Sequence, residues 1–540
     1  MTTKAAKVSS EVGSAIQTGF CGNGSLGSWV FSLLFNFRAQ DSIMKLLSAS
    51  SLLIFFLFSC SPDTQPTLAV YYTLTVDAGL GGQVSQTGGT FEKGTVQVIQ
   101  AIADPGYIFD RWEGWSGDQS ASLQINVDQP LNLKAIFRYN TQSIGTQVPL
   151  IIQDFVDPGY VLAIVNGAKT AYLLDHQGTK KHTWTFEKAL GQDIELMDDG
   201  TIMGAFKAPN PSVAYGGQNG LIQHIGLDGS VLWNYSIMGP DFIGHHDIEI
   251  MPNGHVLALV WSRMSREEAQ SMGLEIDTDV FPEKVIEIDP VTSEIVWSWD
   301  SRDHLVQGLR PGGPNYGDPN ALRHKINFTY QNEVDIHEFV GQGDIMHING
   351  LDYHPEQDII ALSVNFYGEV WMIDHSTTTA EAQTGSGGRY GRGGDLILRW
   401  GNPNVYGTYG QTQQLHYNHH PSFIEKEGKT LLSLFHNNKE ANGYSEAYVF
   451  DLSFLKPGVA VDTQVPVHFS FSDPSMFFPR VGGVQTMSNG NLLITEGDYG
   501  FWEVNPQGLV VWKYDGLGVS FWRGMYVPTN HPALSRLSAN

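Results

Sequence analysis

The amino-acid sequence predicts an all-β protein, a six-bladed β-propeller preceded by a small β-rich domain. Three observations lead to this fold class. The 540 residues include 59 glycines and 11% aromatic residues, whereas charged residues make up only 16%, a composition typical of many short strands joined by tight turns. Apolar residues alternate with period two between Tyr71 and Tyr139, as in half-buried strands. From Tyr160 onward a unit of apolar strands and turn glycines recurs.

The recurring unit predicts the propeller, which we assign to residues 145–540. Each unit runs from an Asn-Gly or Asp-Gly turn into an apolar strand and ends on a strand that carries tryptophan, as in Met251–Val260 followed by Ile295–Trp299. About six units occur, and each is a sheet with two faces to cover, so we expect them to close into a ring. The predicted starts of the units lie near residues 160, 192, 245, 347, 416 and 480.

Two segments are predicted to be insertions in this ring. Residues 301–345 are rich in glycine and proline, which indicates a long loop over one face of the propeller. Ser265 and Glu268 have the spacing of a capping box, which indicates the start of a short helix.

The N-terminal segment predicts export and lipid anchoring. Residues 1–43 show no clear periodicity, and we interpret them as a mis-assigned or disordered extension. Residues 44–60 begin with Met-Lys, continue as an apolar run too short to span a bilayer, and end at Cys60. This pattern resembles a bacterial lipoprotein signal peptide, which implies that Cys60 is lipidated and that residues 61–70 form a linker. We therefore expect an extracytoplasmic, lipid-anchored protein in the periplasm or at the cell surface; a buried hydrophobic segment is the alternative.

Residues 71–140 are predicted to form a separate β domain. Glycine turns separate its alternating strands, and Gly-Gly-Thr-Phe-Glu-Lys-Gly, Pro-Gly-Tyr-Ile-Phe and Arg111-Trp-Glu-Gly-Trp115 follow one another before a final Ala-Ile-Phe. This succession resembles the internalin-type B-repeat modules of bacterial surface proteins. The resemblance implies a spacer or an adhesive module, and a ligand site is the alternative.

Charge and composition exclude several classes of partner. A formal net charge of -25 without any run of Lys or Arg argues against nucleic-acid binding. Cys21 and Cys60 both precede the predicted mature body, which therefore has no intramolecular disulfide and no cysteine metal site. The glycine-rich loop 385–394 leads into a predicted strand and lacks the Gly-Lys-Ser/Thr of a phosphate loop, so nucleotide binding is not expected.

Histidines recur at equivalent places of three units. When the units are aligned on their turn glycines, these histidines precede or begin the first strands, which line the central channel of a propeller. We therefore predict that five imidazoles converge at one mouth of the channel. Neutral imidazole is a nitrogen nucleophile that needs no activating base, and imidazolium donates hydrogen bonds to anionic oxygens. The five residues are His245, His246, His347, His419 and His420.

The motifs of residues 343–438 resemble those of a known family. In order, they are His347-Ile-Asn349, Ser363-Val-Asn365, Arg399-Trp-Gly-Asn-Pro403 and Asn418-His419-His420-Pro421. This order is similar to that of the bacterial arylsulfate sulfotransferases, and the similarity covers residues 160–530. The resemblance implies transfer of a sulfuryl group between phenols through a sulfated histidine.

The same resemblance implies which histidine is sulfated. Asn418-His419 occupies the place of the family's Gln-His pair, and Pro421 also fits, so the nucleophile is expected at His419. Counting back from the turn glycine Gly428 selects His420 instead. Both residues therefore stay as candidates at this point.

Other family residues fall on the remaining motifs. His347 and Asn349 match the family's His-x-Asn that binds the sulfuryl oxygens. A further family histidine falls on the pair His245-His246, and the spacing to Gly254 favours His246.

One family residue is missing. Relatives carry an arginine after the Ser-x that is Ser363-Val364 here, whereas this chain has Asn365. Asparagine offers a hydrogen bond but no charge, and loss of a charged donor from a transition-state clamp costs about 2–4 kcal/mol. Arg480, which precedes the first strand of the last unit, is the expected substitute, and Arg523 is the second candidate.

Together these features predict a sulfotransferase that moves a sulfuryl group from an aryl sulfate ester to a phenol in a ping-pong cycle. No metal, organic cofactor or nucleotide donor is needed, and the membrane is contacted only through the lipid anchor. One alternative is a non-catalytic surface propeller that binds glycans or partners, the missing arginine marking a decayed site. The other is a metal-dependent hydrolase that uses the imidazoles as ligands. The sequence does not indicate the oligomeric state.

Overall fold

Strands dominate the structure, a computed structural model that describes residues 69–79, 82–103, 107–117, 119–139, 150–152, 155–211, 213, 215–332, 338–406, 412–438 and 443–537. The predicted extension 1–43, the predicted signal peptide 44–60 with Cys60, and most of the predicted linker 61–70 lie outside these residues. Within the described ranges, no helix is long and apolar enough to cross a bilayer. The predicted all-β fold class is confirmed.

The N-terminal module contains two sheets that share one core. Its strands are β1 (Tyr71–Ala78), β2 (Gly82–Val84), β3 (Gly88–Glu92), β4 (Thr95–Ala103), β5 (Tyr107–Glu113), β6 (Ser122–Val127) and β7 (Leu131–Tyr139). One sheet has the order β3-β1-β7-β5 and the other β2-β4-β6. Along β6 every second residue is buried, as the alternating sequence predicts. The buried side chains of both sheets, among them Val76, Ile99 and Phe137, form a single apolar cluster.

Six sheets form the blades of the propeller, so the predicted blade number is confirmed. Their strands, together with one pair in an insertion, are β8 (Leu150–Ile151), β9 (Tyr160–Val165), β10 (Thr170–Leu174), β11 (Lys180–Thr185), β12 (Leu190–Leu196), β13 (Ile202–Lys207), β14 (Gly220–Ile225), β15 (Val231–Ser236), β16 (Phe242–Ile250), β17 (Val256–Ser262), β18 (Glu283–Asp289), β19 (Glu294–Asp300), β20 (Leu305–Val306), β21 (Ile326–Asn327), β22 (Ile348–His354), β23 (Ile359–Val364), β24 (Glu369–Asp374), β25 (Leu398–Trp400), β26 (Asn418–Lys426), β27 (Lys429–His436), β28 (Glu446–Asp451), β29 (Val467–Ser472), β30 (Gly483–Thr486), β31 (Leu492–Glu496), β32 (Gly500–Val504), β33 (Val510–Asp515) and β34 (Phe521–Val527).

The ring is closed by a blade that contains strands from both ends of the propeller sequence. The first blade has the order β34-β9-β10-β11, so its inner strand comes from the C-terminal part of the chain. The next four blades are β12 to β15, β16 to β19, β22 to β25 and β26 to β29, and the sixth is β30 to β33 with β8 at its outer edge. The unit predicted to start near residue 160 therefore begins with the second strand of its blade. A local repeat pattern does not reveal this, because the pairing of β34 with β9 is a contact between distant parts of the sequence.

The inner strands are β34, β12, β16, β22, β26 and β30, and each contacts the next around the ring. Each of them carries, or begins within two residues after, a residue that lines the cavity described below. Residues from all parts of the propeller sequence are therefore close in space there.

The insertion 301–345 is packed against the propeller and is not an open loop. It contains the parallel pair β20 and β21, the 3-10 helices Ser301–His304 and Phe328–Asn332, and the helix α2 (Glu338–Gly341). Leu305, Ile326 and Phe328 are buried in the largest apolar cluster, which also covers the third and fourth blades. The predicted short helix is α1 (Arg266–Ser271), and the Ser265 hydroxyl accepts a hydrogen bond from the Glu268 backbone N–H at 3.2 Å.

The other short helices are α3 (Thr379–Ala382), α4 (Ala533–Leu537) and the 3-10 helices Asn365–Tyr367 and Pro403–Tyr406. The last of these supports the Arg-Trp motif of the sequence. Arg399 is buried, donates to the carboxylate of Glu369 at 2.5 Å and stacks on the Tyr406 ring at 3.9 Å. Removing one partner of such a buried pair costs about 3–5 kcal/mol, so this motif stabilises the fourth blade and does not line the site.

Candidate functional site

A cavity of about 760 Å³ lies where the inner strands begin. Three imidazoles from three blades line it, those of His246, His347 and His419. The other lining residues are Asn166, Gln192, Gly216, Gly217, Asn365, Phe366, Tyr417, Pro479, Arg480, Val481 and Trp522. The ring of repeated sheets therefore brings together histidines that are between 72 and 173 residues apart in sequence.

His419 is held in one orientation by its neighbours. Its Nδ1 lies 2.6 Å from the side-chain oxygen of Asn437 and 3.2 Å from the backbone carbonyl of Tyr417. Both partners are acceptors, so Nδ1 carries the proton and Nε2 is the nitrogen with a free lone pair. The Asn437 side chain is fixed in turn, because its amide donates to the backbone carbonyls of Phe478 and Val481.

Burial keeps this imidazole neutral. The pKa of His419 is lowered to about 3, mainly by burial; the hydrogen bond with Asn437 acts in the opposite direction, and the neighbouring His347 lowers the pKa further. A neutral imidazole with a fixed Nδ1 proton is in the form required for attack by Nε2.

His246 lines the cavity, and His245 lies behind it in the interior of the protein. Their Nδ1 atoms are 3.0 Å apart, so one donates to the other. The His245 ring stacks on Trp261 at 4.0 Å and is fully buried, whereas His246 reaches the cavity. Burial also lowers the pKa of both imidazoles. His246 approaches Gly217 so closely that a Cβ there would lie 2.1 Å from Nε2, which explains the glycine.

His347 forms a pair with a carboxylate from the insertion. Its Nδ1 lies 2.5 Å from Oδ2 of Asp344, so the carboxylate fixes the orientation of the ring and Nε2 is left for the cavity. The ring stacks on Phe366 at 4.6 Å and lies 4.6 Å from that of His246. Glu283 accepts hydrogen bonds from the backbone N–H of Ile348, which holds the segment just after this histidine.

The backbone is irregular at or next to the three histidines. His246, His347 and Tyr417 have φ of +49°, +54° and +57°, which is the left-handed region that residues other than glycine rarely adopt. The pairing register of β16, β22 and β26 also shifts at the histidines or directly after them. Such strain and such bulges concentrate at functional sites, where they redirect side chains.

Of three residues predicted to bind the anion, two line the cavity and one does not. Asn365 and Arg480 line the cavity. Among the described residues, no acidic side chain forms an ion pair with Arg480. Asn349 does not line it: the side chain is buried, and its amide donates to the backbone carbonyl of Asn418 at 2.9 Å. This carbonyl also accepts a hydrogen bond from Asn365 at 3.3 Å, so Asn349 supports the strand that carries His419.

Besides Asn349, three predicted residues do not line the cavity. Two of them are histidines, which corrects the expectation of five imidazoles at one mouth. His245 is buried behind His246, as described above. His420 lines a second cavity of about 380 Å³, because neighbouring residues of β26 point to different sides. Arg523 lines the second cavity too and is held by Asp247, with nitrogen–oxygen distances of 2.6 and 2.9 Å.

The second cavity is acidic. Glu195 and Asp352 line it, and burial raises their pKa values to about 8 and about 7. An anionic ligand is disfavoured there. Arg523, the second candidate for the missing arginine, is paired with the carboxylates of Asp193 and Asp247 and does not line the cavity of the three histidines.

Some residues of the site gave no signal in the sequence. Asn437 lies beyond the strand that pairs with the His419 strand, and only their pairing brings them together. Trp522, whose ring centroid is 6.4 Å from that of His419, comes from the C-terminal strand. Asp344 is different, because it precedes His347 by only three residues, and this short spacing could have indicated the pair. In the described part of the chain, no group of three or more His, Cys, Asp or Glu side chains has the arrangement of a metal site.

The fold and the cavity define a β-propeller with a histidine-lined site on its axis. Residues 153–501 match the family model Arylsulfotransferase (ASST), and residues 72–141 match the Divergent InlB B-repeat domain. The chain belongs to the arylsulfotransferase family, and both predicted resemblances are confirmed. It is thus an enzyme, an aryl sulfotransferase that acts on aryl sulfates and phenols without a nucleotide donor.

Solved structures with a similar chain path are distant in sequence. A proposed 6-phosphogluconolactonase from Bacteroides fragilis NCTC 9343 is 12% identical, with 68% of this chain and 98% of that chain covered and a TM-score of 0.33. The luciferin-regenerating enzyme is 10% identical, with 71% of this chain and 99% of that chain covered and a TM-score of 0.31. The Dos1 propeller is 11% identical, with 66% of this chain and 67% of that chain covered and a TM-score of 0.29. No curated protein matches the chain in sequence.

Proposed function

We propose that this enzyme transfers the sulfuryl group in two steps through a covalent sulfohistidine on His419. The observation that carries the proposal is the orientation of this imidazole: Asn437 holds its Nδ1, and the ring lines a cavity shared with two further histidines and an arginine. The extracytoplasmic location predicted from residues 44–60 agrees with a donor that is an aryl sulfate ester and not a nucleotide.

In the first step, Nε2 of His419 attacks the sulfur of the aryl sulfate. The N–S bond forms while the S–O bond to the aryl group breaks, and the phenolate leaves with that electron pair. The sulfated ring keeps its Nδ1 proton and becomes cationic, and the Asn437 oxygen that faces this proton stabilises the charge. His347 enters this step as the imidazolium, with its Nδ1–H directed at Asp344, and it gives its Nε2 proton to the phenolate.

In the second step, a phenol enters the emptied cavity and its oxygen attacks the same sulfur. The N–S bond breaks, its electron pair returns to Nε2, and the phenol proton passes to His347. This restores both histidines. Protons and charges therefore balance over the cycle without a cofactor, and Trp522 and Phe366 provide apolar surface for the aryl ring.

Arg480 is the residue we assign to the sulfonate oxygens, together with Asn365. Among the described residues that line the cavity, Arg480 is the one with a permanent positive charge. Its guanidinium has the planar set of donors that suits oxyanions. In a chain with a net charge of -25, such a local cation is needed to bind an anionic substrate against the overall field.

The covalent intermediate is tested by mixing the full chain with an aryl sulfate, without acceptor, and quenching at alkaline pH. We expect a burst of phenol equal to the enzyme concentration and the mass of one SO3 on the peptide that contains His419 and His420. Fragmentation should assign the group to His419. Absence of an adduct on this peptide, together with no release of phenol, would remove the proposal.

The pH dependence gives a second prediction. Because the pKa of His419 is lowered to about 3, the nucleophile stays neutral as the pH falls through 6.5, where a free imidazole becomes protonated. We expect kcat/KM for the aryl sulfate to change less than about threefold between about pH 7.5 and about pH 5.

The matched variant for this profile is Asn437→Asp. A carboxylate beside Nδ1 favours the imidazolium form, so its activity should decline at a higher pH than that of the wild type. An acid limb near pH 6.5 in the wild type that Asn437→Asp leaves in place would contradict the assignment of His419.

A further inference from the structure

The N-terminal module contacts the propeller close to the site. Arg111, on β5, places its guanidinium 4.8 Å from the centre of the Phe477 ring. The carboxylates of Asp110 and Glu113 form ion pairs with this guanidinium, at 2.5 and 3.0 Å. Glu113 also lies against Gly443, where an added Cβ would come within 2.7 Å of its carboxylate. The module therefore reaches the propeller through two neighbouring points.

The segment 473–481 leads from this contact to the cavity. Next to the contact, the Phe477 backbone N–H donates to the Glu496 carboxylate at 2.8 Å, and that of Phe478 donates to the Ser445 hydroxyl at 3.1 Å. Directly after Phe478, the residues Pro479, Arg480 and Val481 form one wall of the cavity. Only two residues separate the ring under Arg111 from the cation assigned to the sulfonate.

The same segment also holds the partner of the nucleophile. The Asn437 amide donates to the carbonyls of Phe478 at 2.7 Å and of Val481 at 3.0 Å, and its oxygen faces Nδ1 of His419 at 2.6 Å. A displacement of the segment would therefore act on Arg480 directly and on His419 through one side chain.

We propose that the N-terminal module is a positioning element of the active site, in which Arg111 holds segment 473–481 so that Arg480 faces the bound sulfonate. This inference rests on the proposed function and assigns the module a role beyond that of a spacer. Arg111 touches neither substrate nor nucleophile, and its effect on the reaction passes through Phe477.

The test compares full-length Arg111→Ala and Phe477→Leu with the wild type. We expect either change to raise KM for the aryl sulfate by about two- to fivefold, the size of an exposed cation–π contact, with a smaller effect on kcat. The double variant should be no worse than either single variant, since both remove one contact. Lys93→Ala is the matched control, because Lys93 is an exposed cation in the turn between β3 and β4 of the same module.

The decisive comparison uses an Arg480→Ala background. If Arg111 acts through Arg480, adding Arg111→Ala there should leave KM unchanged. A rise in KM of the same size as in the wild-type background would overturn the proposal, because it would reflect a general loss of stability.

Amide hydrogen exchange of Met476, Phe477 and Phe478 tests the positioning independently of turnover. Exchange should be about two- to fivefold faster in Arg111→Ala than in Lys93→Ala. Equal exchange in the two variants would overturn the inference even if the enzyme is active. The two proposals can also fail separately. If the wild type forms no sulfohistidine, the proposed function is rejected. If exchange is nevertheless faster in Arg111→Ala than in Lys93→Ala, the positioning contact is still supported.

Discussion

Replacing His419 with alanine is expected to lower kcat for sulfuryl transfer by about a thousandfold or more, because the attacking nitrogen is removed from a covalent mechanism. Asn437, His347 and Arg480 stay in place in this variant, so donor binding should change little. The measurement is steady-state phenol release from an aryl sulfate, combined with the binding constant of an unreactive aryl sulfonate. The adduct on the peptide with residues 419 and 420 should disappear as well.

His420→Ala is the matched control, since it removes the adjacent imidazole in the same strand. His420 lines the acidic cavity, so we expect this variant to keep most of the wild-type kcat. Its melting temperature must be compared with that of the wild type because the side chain is buried. Loss of turnover in His420→Ala, with turnover kept in His419→Ala, would assign the reaction to the other histidine.

The sequence was sufficient to predict the propeller and three of the histidines at its axis. Each blade repeats a pattern of turn glycine, apolar strand and tryptophan, and this repetition fixes which residues begin the inner strands. The cyclic arrangement then brings His246, His347 and His419 together even though no local signal links them. Such a prediction needs only the periodicity of the repeat and the closure of the ring.

The side of the channel that each residue faces could not be predicted in this way. His419 and His420 face different cavities because neighbouring residues of β26 point to different sides. Which of the two faces the histidine cavity depends on the register of β26, which shifts between His419 and Ser422. Arg480 was the first candidate for the missing arginine because it precedes a channel strand, and Arg523 was the second candidate. Its pairing with Asp247 depends on the closing contact between the two ends of the propeller, which the repeat pattern does not contain.

The contribution of the N-terminal module was missed for a related reason. Its resemblance to B-repeat modules indicates how the module folds but not which surface it contacts. Arg111 belongs to the motif by which the module was recognised, yet its partner Phe477 lies 366 residues further along the chain, two residues before Pro479, which lines the cavity. Contacts between two domains are determined by surfaces that neither motif describes.

Introducing the family's arginine by the change Asn365→Arg is expected to raise kcat/KM for the aryl sulfate by about tenfold or more. Asn365 lines the cavity with His347 and His419, and the cavity of about 760 Å³ has room for the longer side chain. A guanidinium there adds a charged fork of donors to the sulfonate, and one such donor in a transition-state clamp is worth about 2.7–4 kcal/mol. The hydrogen bond from Asn365 to the Asn418 carbonyl is lost, which reduces the gain.

Asn365→Gln is the control for this prediction, because it lengthens the side chain and keeps the amide without adding charge. We expect no gain in that variant. In the Asn365→Arg background, Arg480→Ala should cost less than in the wild type, since two cations then share one anion. If Asn365→Arg is no faster than Asn365→Gln, the site is not short of positive charge, and Arg480 alone supplies what the transition state requires.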